Sequence, residues 1–193
     1  GEHRPSPVAG VLAVLRDRRV VVLAIAMGLF SLLDEPLAGF LIAFNEHVRR
    51  ETVVVANAAI LAWTLGQLAG FAAYDRITGE RRPELVVLVS AVITGVALPI
   101  AVFAPWLLLR IAAMAAFGAA GAVFYVTLNA KVLALRPGQV GSVSAVVSLI
   151  GMVGMGFPGV VGAACDAFGL AGGLLLYVAV PVLILPLVAR NAR

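Results

Sequence analysis

The chain predicts an all-α membrane protein of six transmembrane helices arranged as a 3+3 inverted repeat. Three observations carry that reading. Hydrophobic residues make up 62% of the 193 and charged residues 12%, where globular domains run at roughly 45–50% and 25%; mean hydropathy is +1.07. Apolar runs of bilayer-crossing length recur along the chain. Polar and small residues gather on some of these runs and are nearly missing from others, with a period of three. A water-soluble fold of this length would leave too much of that apolar surface exposed. A single cysteine excludes a disulfide scaffold, and the hydrophobicity excludes a disordered chain.

Residues 1–19 read as a cytoplasmic leader. Within it, Ser6 is placed to cap a helix with Pro7 at its first position. Val8, Val11, Leu12 and Leu15 share one face and Arg16, Arg18 and Arg19 follow, the pattern of a short helix lying on the membrane surface. A disordered leader is the alternative. The apolar stretch is too short for a secretory signal, and the opening Gly1 is expected to mark a processed or fragment start. Residues 20–189 form the membrane domain. A spanning helix needs about 20 predominantly apolar residues, and the windows 20–44, 53–74, 85–103, 106–128, 140–164 and 170–189 meet that. Loops at 45–52, 75–84, 104–105, 136–138 and 166–169 carry the Gly, Pro and charged residues expected of breaks. Residues 190–193 are a cytoplasmic tail.

Eleven of the fourteen Lys and Arg fall on one side of this layout, two (Arg49, Arg50) on the other, and Arg110 lies inside the fourth span. The positive-inside rule then places both termini in the cytoplasm, and the expected location is the plasma (inner) membrane. The net charge of +4 does not point to nucleic acid, because the basic residues occupy the gaps between apolar runs and form no patch with interleaved aromatics.

Polar residues at membrane depth are costly, so their positions mark faces that meet protein or water. In span one, Gly28, Ser31, Asp34, Glu35 and Ala38 share a side. In span two, Asn57, Thr64 and Gln67 fall within an arc of about 80°, and in span four Arg110, Met114, Gly118, Gly121, Tyr125 and Asn129 within about 100°. Span five has Gly141, Ser144, Ser148, Gly151 and Gly159, a stripe that close packing of a bundle explains more readily than a cavity. Spans three and six are plain, with Ser90, Thr94 and Tyr177 and kinks expected at Pro99, Pro181 and Pro186. Polar, polar, plain, repeated, is the pattern of an inverted 3+3 transporter repeat.

Asp34 and Glu35 are the sharpest signal. Both fall in the outer half of the bilayer, as do Asn57 and Arg110, at depths a long Arg side chain can bridge. Pro36 cannot donate to the carbonyl of Leu32, which loosens the helix beside the acids. Either an Arg–carboxylate pair holds the bundle together, or these groups form a substrate or proton site.

The end of span two and the loop after it contain Gly70, Asp75, Arg76, Gly79, Arg81 and Arg82. Here the chain resembles the major facilitator superfamily, whose signature between the second and third helices of each half is Gly, then Asp-Arg, a spacer, Gly and a basic pair. The first glycine would fall at Phe71, with Gly70 one residue early, and the spacer has two residues instead of one. The Arg-x-x-Gln-Gly pattern of the fourth helix is absent after Arg110. Gly154, Gly156, Pro158, Gly159 and Gly162 hint at the family's fifth-helix motif. The resemblance runs from about Val11 to Ala189 and implies one six-helix half of a twelve-helix facilitator, more like the C-terminal half. It implies secondary transport of a small-molecule solute, a cavity lined by Asp34, Glu35, Asn57, Thr64, Gln67, Arg110, Tyr125, Asn129, Ser144 and Ser148, and a cytoplasmic gate at Asp75, Arg76, Gly79, Arg81 and Arg82. The expected partners are the lipid bilayer, the solute and a second six-helix half, either the N-terminal half or another copy.

Enzyme chemistry is not expected. His3 and His47 lie outside the spans, and no HExxH, GxSxG, Walker loop or CxxC occurs. No cofactor or metal is implied, and Cys165 reads as a small buried residue. The alternatives to transport are a non-transporting scaffold or partner subunit, and a six-helix channel.

Overall fold

The computed structural model describes residues 7–33, 35–79 and 81–191, without the side chains of residues 7, 35 and 191. Ser6, Asp34, Glu80 and the tail end at 192–193 therefore lie outside the described residues, as does the Glu35 side chain. All regular structure among the described residues is helical. The helices are α1 (Pro7–Leu15), α2 (Arg18–Ser31), α3 (Glu35–His47), α4 (Val53–Ala72), α5 (Tyr74–Thr78), α6 (Pro83–Phe103), α7 (Leu107–Ala134), α8 (Val140–Val153) and α9 (Phe157–Asn191). Short 3₁₀ turns at Pro137–Gln139 and Gly154–Gly156 precede and follow α8.

Five helical runs are long and apolar enough to cross a membrane: Arg18–His47, Val53–Ala72, Pro83–Phe103, Leu107–Ala134 and Pro137–Arg190. The last holds both expected windows, 140–164 and 170–189, within 54 residues, and the expected break at 166–169 falls inside it. The break inside it is a single residue, Gly169, with φ 74° and ψ 169°, a conformation that only glycine adopts without strain. The chain doubles back there. A Cβ placed on Gly173 would lie 3.1 Å from the carbonyl oxygen of Val161, whereas twelve residues of straight helix span about 18 Å.

Local chemistry sets the other ends. Asp17 caps α2 by accepting from the Arg19 amide at 3.1 Å, and Thr52 caps α4 by accepting from Val55 at 3.4 Å. Pro83 opens α6, where its missing N–H costs no helical bond. The expected break at 104–105 is present: Ala104 is extended at ψ 140° and α7 begins at Leu107. In the first span, Leu32 and Leu33 donate to Leu29 and Phe30, three residues back. That tightens the end of α2, and Pro36 falls in the first turn of α3.

Packing follows the small residues. On α4, Gly66 and Gly70 let the backbone of α7 approach: a Cβ on Gly70 would stand 2.5 Å from the Ala119 carbonyl oxygen, and one on Gly66 would collide with that of Ala115. Gly118 of α7 gives the same access to the Trp63 carbonyl. Between apolar helices in lipid this close fit, not water exclusion, supplies the association. α6 packs on the other side of α7 and on α9, while α2 packs on α8 and α9. Met27, Leu37, Phe124, Leu174 and Tyr177 fill the centre. α1 lies against α8: Val14 is fully buried, Gly10 leaves room for Ser142, and Val8 and Leu12 face outward.

Candidate functional site

Two grooves meet at Ser31, at the end of α2. The first, of about 410 Å³, lies between α2, α4 and α7, with Phe30, Ser31, Trp63, Gln67, Gly121 and Tyr125 in its wall. Gly121 exists here because of Phe30, whose ring edge would be 3.0 Å from any Cβ at that position. Phe30 in turn stacks at a tilt on Phe124 at 4.8 Å and approaches Tyr125 at 6.5 Å, while Trp63 meets Phe117 edge-on at 5.7 Å. The second groove, of about 480 Å³, runs from Ser31 and Pro36 to Ser148, Gly151 and Pro158. The lining comes from α2, α4, α7 and α8 with the first turns of α3 and α9; α6 and the returning arm of α9 line neither.

The described lining is uncharged. The Ser31 hydroxyl donates to the carbonyls of Met27 and Gly28, both at 3.0 Å, which leaves its oxygen free to accept. Gln67 and Tyr125 have no hydrogen bond among the described residues, so an amide and a phenol stand ready beside aromatic faces. Asn57 and Thr64 are exposed on α4 and donate to their own helix, to Val53 at 2.8 Å and Ile60 at 3.1 Å. Ser144 and Ser148 are exposed on α8, and Asn129 is half-buried one turn below Tyr125. Glu35 begins α3.

Arg110 lines neither groove. It is buried at the start of α7, where Nη1 donates to Asn45 Oδ1 at 3.1 Å and to Glu51 Oε2 at 3.2 Å, and Nη2 donates to Glu51 Oε1. Beside it, Arg49 donates to the carbonyls of Val102 at 2.8 Å and Ala104 at 3.0 Å and lies over the Phe44 ring at 5.4 Å. Burial, together with the neighbouring Arg110 charge, holds the Arg49 guanidinium below its usual range, with Glu51 acting against both. The upper part of the α7 stripe (Arg110, Met114, Gly118) is therefore packed inside the protein, and only its lower part reaches the surface. Sequence reasoning missed Asn45 and Glu51. Their signal was position: Arg110 is so near the start of its span that the adjoining 45–52 loop, with its own charges, is within reach.

At the opposite, basic end, α5 carries Asp75 and Arg76, both exposed and without hydrogen bonds or ion pairs from their side chains among the described residues. Gly79 closes α5 with φ 34°. Arg81 and Arg82 are exposed too. The ion pairs at this end lie elsewhere: Arg136 with Asp17 at 3.0 Å and Lys131 with Glu84 at 2.9 Å. No cluster of three or more His, Cys, Asp or Glu able to hold a metal occurs among the described residues.

No protein-family model matches the chain, and no curated protein matches it. The fold and its helix lengths define the class: a helical membrane protein with transmembrane helices.

Proposed function

We propose that the chain is one six-helix half of a secondary transporter of the major facilitator type, moving a small organic solute along the face centred on Ser31. The observation that carries this reading is the grouping of Ser31, Gln67, Tyr125 and Ser148 along two adjoining grooves in helices otherwise built for lipid. The aromatic walls and neutral hydrogen-bonding groups suit a solute with an apolar body and few polar atoms. Charge would come from Asp34 and Glu35, which follow Ser31 in sequence and are the proposed proton-handling acids.

In this reading the two arms around Gly169 are spans five and six. The helix pairings support a 3+3 inverted repeat: span four lies on span two as span one lies on span five, span three on four as one on six, and three on six. Exchanging one with four, two with five and three with six leaves that set unchanged. The open polar face calls for a second six-helix unit as the other wall. Asp75 and Arg76, whose side chains have no partner among the described residues, would then act across the gate. Both termini and the 75–84 loop are placed in the cytoplasm.

Two experiments test this. Cysteines at Thr78 and Glu46 should label with an impermeant reagent from opposite sides of the membrane; labelling from one side would remove the topology. Proteoliposomes containing the chain and its second half should take up or release solute down an imposed proton gradient, with Glu35→Gln abolishing the gradient dependence. Absence of flux across a broad panel of amphipathic solutes would favour a scaffold.

A further inference from the structure

A third groove, of about 410 Å³, lies on the opposite side of α7 from the polar face, between α6 and α7. Its α6 wall is Leu85, Val89 and Ile93, four residues apart and therefore on one face. All three are exposed to the surroundings, at 55%, 46% and 43%. The α7 wall is low because it is built of three alanines and the buried Val123, with Ala116 exposed and Ala120 at the floor. At one end stands Arg81. Its guanidinium has no hydrogen bond or ion pair among the described residues. The nearby acid on α6, Glu84, is held by Lys131 at 2.9 Å and does not neutralise it.

We infer that this groove binds a single anionic phospholipid, with one acyl chain between α6 and α7 and the phosphate on Arg81. The dimensions fit. From Pro83, two residues after Arg81, to Ile93 is about 15 Å along α6, the depth of one leaflet of a hydrocarbon core about 30 Å thick. The charge fits as well, since the apolar length ends at Arg81, a cation with no ion pair among the described residues, just outside the membrane-length helix α6. A zwitterionic lipid would gain the groove but little from Arg81. The site is independent of the transport reading and rests only on residence in a bilayer.

Native mass spectrometry of the purified full chain in mild detergent, with added dioleoyl phosphatidylglycerol or dioleoyl phosphatidylcholine, tests it. One phosphatidylglycerol should be retained at about five- to tenfold lower concentration than phosphatidylcholine. Arg81→Gln should abolish that difference, and Arg82→Gln, on the same loop but not in the groove wall, should preserve it. Ala116→Trp fills the groove from its exposed side and should weaken retention of both lipids, with helicity by circular dichroism showing that the fold survives. Equal retention of the two lipids by the unaltered chain, or equal losses from Arg81→Gln and Arg82→Gln, would overturn the proposal. So would a dimer that Ala116→Trp converts to monomer, because the groove would then be a contact between copies.

Discussion

The two ends of the bundle hold themselves together with the same chemistry under different conditions. At the Arg110 end, a two-point guanidinium–carboxylate pair is nearly sealed, with the side chains of Arg110 and Glu51 exposed by only 4% and 18%. A second arginine, Arg49, caps the carbonyls that end α6. Together they tie the 45–52 loop to both sides of the α6–α7 turn. At the basic end, Arg136 and Asp17 are exposed by 33% and 25%, Arg136 reaches Asp17 and Lys131 reaches Glu84 through one contact each, and the side chains of Asp75, Arg76, Arg81 and Arg82 have no hydrogen bond or ion pair among the described residues. A charge pair away from water is costly to break because the survivor cannot be resolvated; a wet pair is nearly free to exchange for water. The first end is therefore the costlier to break, and the second the cheaper.

Glu51→Ala should break the comparison most severely. It leaves Arg110 buried with only Asn45, and Arg49 loses the carboxylate charge that offsets Arg110 beside it; a loss of about 3 kcal/mol is expected. Unfolding of the purified protein by sodium dodecyl sulfate, followed by circular dichroism, would measure it. Pairing it with Arg110→Met should recover most of the loss, since the buried guanidinium left without its carboxylate is removed and so is the like charge beside Arg49. If the double variant is as unstable as the single, the clamp is not electrostatic.

Arg136→Gln should cost less than about 1 kcal/mol in the same assay, as wet pairs do. The pair also predicts a pH dependence. Burial alone would raise the Asp17 pKa, but hydrogen bonds from Arg136 and from the Arg19 and Val20 amides, with the Arg136 charge, outweigh burial and hold it below the ordinary 3.8. A carboxyl lowered in the folded state stabilises fully above its unfolded pKa, and that contribution is lost as pH falls through the folded value. The Arg136 effect should thus be constant from neutral pH to about 5 and vanish in strong acid. An effect that instead grows in acid would assign Arg136 another role.

Lys131→Gln should be smallest, at a few tenths of a kcal/mol, because its partner Glu84 is 41% exposed. A loss as large as that of Glu51→Ala would erase the distinction between the ends.

The glycine stripes sharpen the same lesson. Periodicity put Gly118 and Gly151 in equivalent stripes, and close packing was the readier explanation for span five. In the structure Gly118 admits the α4 backbone, while Cβ atoms on Gly141, Gly151 and Gly159 would meet nothing within 4 Å. A stripe says that a face is smooth; it does not say what lies against it.

Composition and run length by themselves determined that the chain is helical and built for a bilayer, because lipid admits few backbone solutions and demands long apolar runs. They also located most helix ends, where Asp17, Thr52 and Pro83 act on their own neighbours. The pairing of Arg110 with Glu51, the return of the chain at Gly169 and the meeting of Gln67 with Tyr125 at Ser31 were decided only by tertiary structure. Each joins residues that local periodicity treats separately, and which side chain an arginine reaches depends on how helices cross and not on where it stands along one of them.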